Sequence, residues 1–129
     1  LRDVNLTKSD LSGANLRQAD LRGTMLTDAT LRGADLSHAK LQKSMLRNAN
    51  LRGANLAGAD LTASDLTNAN FEGANLRGAD LRGALVDKTN FSLASLQDAN
   101  LTNVFLSTAY TDHANLRGAR LSDARATVE

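Results

Sequence analysis

The 129-residue chain contains no cysteine, no proline and no tryptophan, and aromatic residues make up only 3% of it. Without cysteine a disulfide framework is excluded, and the redox compartment stays undetermined. With three Phe and one Tyr, the core cannot rest on aromatic packing and must be built from Leu and Ala. No apolar run approaches the length of a signal h-region or a membrane span. One-signed charge is missing too: 15 Lys and Arg face 14 Asp and Glu, for a formal charge of +1. No large single-sign field is therefore available for nucleic acid or for acidic mimicry.

What is present is a repeat. In "ANLRGADLRGA", residues 74–84, the same five letters come round twice. Centring each pentad on a residue i, the centres fall at 1, 6, 11 and onward to 126 without an insertion or deletion. Of these 26 centres 21 are Leu; the exceptions are Phe71, Phe91, Val86, Thr111 and Ala126. Position i−2 is Ala in 18 of 25 pentads, and i−1 is Asn or Asp in 15 of 25. All nine glycines stand at i+2.

An α-helix cannot use a period of five. Each step advances the Leu by roughly 500°, so successive leucines spiral around the axis. A flat strand cannot use it either, because five is odd and alternate leucines would face opposite ways. Within one pentad, however, i−2 and i share a face, so a short strand can point both inward and i−1 and i+1 outward. The chain then turns, and i+2 supplies the residue tolerating φ > 0 that a type II turn requires. One side and one corner per five residues make a β-solenoid. Phe71 and Phe91 are the two aromatic centres, and the odd apolar residues at i−1, Met25, Met45, Leu85 and Phe105, fall in one column of period 20. Four sides per turn follow.

The run A(N/D)LXX over the whole chain resembles the pentapeptide-repeat proteins. That resemblance implies an all-β fold, a right-handed quadrilateral β-helix with four pentapeptides per coil. With about six coils spaced by the inter-strand distance, a single domain over residues 1–129 would form a rod of roughly 30 Å. The chain opens on Leu1, already in register and without an initiator Met, as a fragment, a trimmed tag or a processed precursor would. A cytoplasmic location is expected, with a lumenal or periplasmic site after processing as the other reading. Residues 122–129, "SDARATVE", carry a weak signal for a short frayed helix. The open coil ends present unpaired edges, so a homodimer through them is expected.

Chemistry is hard to find. His38 and His113 stand at different corners and cannot act as a pair. The serines form no nucleophile elbow, and glycines spaced by multiples of five make no phosphate-cradling loop. Asp60 and Asp80 are coil neighbours whose expected role is that of solvated surface acids. Asp20, Lys40 and Asp60 form an outward column of alternating sign, and Arg52 lies one coil from Glu72. The arginines are spread over several columns without aromatic interleaving. The expectation is a protein that is not an enzyme, with no cofactor, no metal site and no nucleic-acid or membrane partner.

One side differs. Met25, Met45, Leu85 and Phe105 point outward from it, interrupted by Asp65, and Tyr110 follows one pentad along. Its corners carry Lys8, Asp28, Asn48, Asn68, Lys88 and Thr108 and no Gly, so they are expected to use a different turn. An exposed apolar ribbon marks an interaction surface, and the leading expectation is a scaffold that binds a protein partner there. The family resemblance supplies an alternative, a DNA-mimicking inhibitor of type II topoisomerases such as gyrase. The near-neutral charge departs from the strongly acidic surface which that role uses. A broken outward column of Thr7, Thr27, Thr67, Ser107 and Thr127 supplies a third reading, ice or crystal-surface binding.

Overall fold

The computed structural model describes residues 1–121; the helix expected over 122–129 lies outside them. Each pentapeptide carries five backbone N–H groups, and one left unpaired away from water costs about as much as a lost hydrogen bond. Four of the five find backbone partners. In the pentapeptide centred on Leu26, the Leu26 N–H donates to Met45 O at 2.7 Å and the Asp28 N–H to Arg47 O at 3.0 Å, both one coil on. The Ala29 N–H closes the corner on Leu26 O at 3.0 Å, and the Thr30 N–H reaches back to Ser9 O at 2.9 Å. Parallel bridges accordingly join residues twenty apart: Asn5 to Met25, Met25 to Met45, and so on to Asn100 with Arg120. Four pentapeptides make one coil, and each side contributes a one-residue bridge rather than an extended strand. The first side is centred on Leu1, Leu21 and their successors, the second on Leu6, Leu26 and so on, the third on Leu11 and the fourth on Leu16.

The fifth N–H, at i+1, explains the Asn and Asp residues. The side chain at i−1 turns back along its own strand and accepts from it, as Asn55 Oδ1 accepts from the Ala57 N–H at 3.1 Å. All fifteen Asn and Asp residues at i−1 do this. A short polar side chain bonding the backbone two residues on is the local contact that favours Asn and Asp in turns. The i−1 preference thus completes the donor accounting and is more than outward polarity.

The corners correct one expectation. Those following the second side use the same turn as the glycine corners: Lys8, Asp28, Asn48, Asn68 and Lys88 have φ of 57–64°, against 63–70° for the glycines. A positive φ at the third turn residue alone is the type II signature. The corner is dictated by its two bonds, i+3 N–H to i O within the coil and i+2 N–H to the next coil, and these do not depend on the side chain. Non-glycine residues accept the left-handed conformation at roughly 1–2 kcal/mol each. Thr108 alone among the described second-side corners is outside the positive-φ set.

Positions i and i−2 point inward as their spacing requires. From Leu21 to Val104 every centre and every i−2 residue is buried, while Leu6, Leu11, Leu16 and Leu106 toward the ends are partly covered. Phe71 and Phe91 stack on the third side with centroids 5.5 Å apart and planes at 23°. Thr111, one coil further, is half-buried. The hydroxyls at i−2 are mostly answered by backbone: Thr24 Oγ1 donates to Leu1 O at 2.8 Å, Ser64 Oγ to Leu61 O at 2.6 Å, and Thr89 Oγ1 to Leu66 O at 2.6 Å.

Candidate functional site

The second side carries its odd residues at i−1, where an Asn or Asp would cap the strand. Met25, Met45, Leu85 and Phe105 cannot accept a hydrogen bond there. Among the described residues, no side chain answers the N–H of Thr27, Arg47, Asp87 or Ser107. Bridges bring Met25 onto Met45, Met45 onto Asp65, and Asp65 onto Leu85. Met25 is half-buried, whereas Met45, Leu85 and Phe105 are exposed, the last two at 56% and 54%. Tyr110, on the neighbouring third side, is 54% exposed as well. The exposed apolar surface is therefore concentrated on residues 85–110, toward one end of the ribbon, together with Leu93 at a third-side corner.

A cavity of about 170 Å³ opens at that end, lined by Ala84, Leu85, Val86, Asp87, Phe105 and Thr108. Below it the ladder runs without a break from Asn5 up to Leu85. Ala84 and Val86 are each 2% exposed, so they form the floor, and Leu85 and Phe105 form the walls. The periodic pattern alone could not reveal this cleft, because every residue around it keeps its place in the register. Its one visible signal was Thr108, a β-branched residue at a corner position that wants positive φ.

Asp65 divides the ribbon. Burial pushes its carboxyl up, but the Thr67 hydroxyl and N–H, then Arg47, outweigh that and hold it below the ordinary carboxylate value. Arg47 Nη1 reaches Asp65 Oδ2 across the coils at 3.3 Å, and Thr67 Oγ1 donates to Asp65 Oδ1 at 2.6 Å. Thr67 is thereby withdrawn from any flat threonine rank.

Elsewhere the charges pair locally. Asp20 and Lys40 are bridge neighbours, as are Lys40 and Asp60. The ion pair of Asp20, however, is bidentate with Arg22 two residues on, at 2.8 and 2.6 Å. The guanidinium of Arg22 is the main reason the Asp20 carboxyl stays far below its usual range. Asp80 pairs with Arg82 in the same way at 2.6 Å, so the Asp60–Asp80 neighbours include one carboxylate already engaged. Arg52 and Glu72 meet across coils at 3.0 Å, as their spacing predicts. His38 and His113 sit at the corners of the fourth and third sides. Among the described residues no group of three His, Asp or Glu is placed to hold a metal ion.

Comparison with known families finds pentapeptide repeats in eight copies, matched over residues 1–37, 34–73, 44–83, 74–110 and 89–125. Among solved structures, a pentapeptide repeat protein from Nostoc PCC 7120 is 32% identical, covering 90% of this chain and 83% of its own, with a TM-score of 0.54. One from the thylakoid lumen of Arabidopsis thaliana is 34% identical, covering 80% of this chain and 68% of its own, with a TM-score of 0.50. A third, the plasmid-mediated fluoroquinolone resistance protein QnrB1, is 21% identical over 95% of this chain and 74% of its own, with a TM-score of 0.44. No curated protein matches the chain.

Proposed function

The chain belongs to the pentapeptide repeat family, whose repeats match from residue 1 to residue 125, and we propose that it is a non-enzymatic scaffold binding a protein partner through its second side. On this reading the whole chain is one right-handed quadrilateral domain of about six coils, a rod of roughly 30 Å. The observation that carries the proposal is the exposure of Leu85 and Phe105, at 56% and 54%, on either side of an apolar cleft. Apolar side chains there displace the Asn or Asp that the fold uses at i−1, so the surface is kept against a structural preference. Contiguous apolar surface on a repeat protein is the feature by which such solenoids engage partners. The DNA-mimic alternative needs a continuous acidic face. Here Asp20, Lys40 and Asp60 alternate in sign, and Asp20, Asp65, Glu72 and Asp80 are each paired with an arginine.

The test is co-purification from the source lysate with wild type beside a Leu85→Asp/Phe105→Asp double variant, its fold checked by circular dichroism. A protein captured by wild type and lost by the variant supports the scaffold reading. Equal capture by the two folded baits removes the second side as the site.

A further inference from the structure

We infer that the cleft between Leu85 and Phe105 is a receptor for one long cationic side chain, an arginine or lysine presented by a protein partner. The inference rests on the reading of the second side as an interface and names what that interface grips. Size comes first. An apolar cavity of roughly 150 Å³ takes a benzene-sized guest, so about 170 Å³ is room for a single side chain.

The polar lining then sets the chemistry. Ala84, Leu85, Val86 and Phe105 supply carbon, while Asp87 and Thr108 supply oxygen. Among the described residues Asp87 is the one charged group in the lining, and none of their ion pairs involves it. Several described acids lie outside those ion pairs, and Asp87 is the one of them that borders this apolar slot. A purely aliphatic guest would fill the slot but leave that carboxylate facing carbon, at a desolvation cost. An Arg or Lys answers both parts: its methylene stem lies along Leu85 and Val86, and its head reaches Asp87.

The probe is n-butylguanidinium, the arginine side chain with its Cα carbon and its charge, titrated into the full chain and followed by amide chemical shifts, with n-butanol as the neutral comparison. Saturable shifts confined to residues 84–87, 105 and 108 are expected. Butanol should bind about five-fold more weakly, the upper end for an exposed ion pair, and Asp87→Asn should weaken butylguanidinium by the same factor. Asp87 is exposed, so that variant keeps the fold, which a melting curve verifies. Absence of saturable shifts, shifts centred elsewhere, or equal binding to Asp87→Asn overturns the inference. The two readings fail separately. If the captured partner is lost by Leu85→Asp/Phe105→Asp but retained in full by Asp87→Asn, the apolar interface stands and the cationic guest does not.

Discussion

The fourth side offers a direct measure of the hydrogen bond that the Asn and Asp residues make. Its i−1 column reads Asn15, Asp35, Asn55, Asn75, Ser95 and Asn115. Five of the six accept from the N–H two residues on. Ser95 is one atom too short, and among the described residues no side chain answers the Gln97 N–H. Ser95→Asn should supply the missing acceptor without disturbing apolar packing, since its bridge partners Asn75 and Asn115 show that the column accommodates the amide. A net intramolecular hydrogen bond is worth about 0.5–1.5 kcal/mol, and partial exposure places this one near 0.5–1 kcal/mol. For a chain of this size that is a rise in Tm of about 2–5 °C. Asn55→Ala, which removes the 3.1 Å bond to the Ala57 N–H, should lower Tm by a similar amount. Thermal and urea denaturation followed by circular dichroism would measure both. A Ser95→Asn variant no more stable than wild type, beside an Asn55→Ala variant that loses nothing, would falsify the donor accounting.

Three further perturbations test the packing, the corners and the charges. Ala54 is 1% exposed at the middle of the rod, so Ala54→Leu should overpack its layer and cost about 1–3 kcal/mol; an unchanged urea midpoint would mean that i−2 has room to spare. Gly33→Ala meets nothing within 4 Å and should show the cost of its φ of +63° alone, about 1–2 kcal/mol. At Gly58 a Cβ would also meet the His38 ring at 2.6 Å, so Gly58→Ala should cost more, with the excess vanishing in a His38→Ala background. The carboxyls of Asp10, Asp20, Asp35, Asp65 and Asp80 are all held below their ordinary value in the folded chain. Their contribution is thus fully present above the unfolded value of about 4 and lost as pH falls through the folded ones. The urea midpoint should be flat from pH 5 to 8 and decline below about 4; a midpoint that rises on acidification contradicts the sign.

Most of the architecture was legible because five-residue spacing leaves so few ways to bury Leu and Ala. The twenty-residue coil could be read from Met25, Met45, Leu85 and Phe105 together with Phe71 and Phe91, since a three-sided turn of fifteen residues would scatter both groups. The Arg52–Glu72 pair followed from the same arithmetic. The second-side corners depart from expectation because glycine is not the cause of the turn. The backbone bonds impose the turn, and Lys8 or Asn48 adopts it as Gly13 does. The cleft was out of reach for a different reason. It depends on how the side chains of two successive coils, Leu85 and Val86 on one and Phe105 and Thr108 on the next, leave space between them, and that changes no residue's place in the register.

The stability rule and the candidate site meet on the second side, and there they conflict. Wherever Asn or Asp stands at i−1 the fold gains a bond to its own backbone; Met45, Leu85 and Phe105 give that bond up and expose carbon to water. Asp65 marks the contrast within one column, since it caps Thr67 and takes Arg47 across the coils. If the apolar residues were merely tolerated, the cleft should be as easy to remove as any surface defect. Leu85→Asn would then restore an acceptor for the Asp87 N–H and remove an exposed side chain with no loss of partner binding. If they serve an interface, the same substitution should hold or raise the melting temperature while abolishing capture. Stability and binding moving in opposite directions on one substitution is the signature of a functional surface retained against the preferences of its fold.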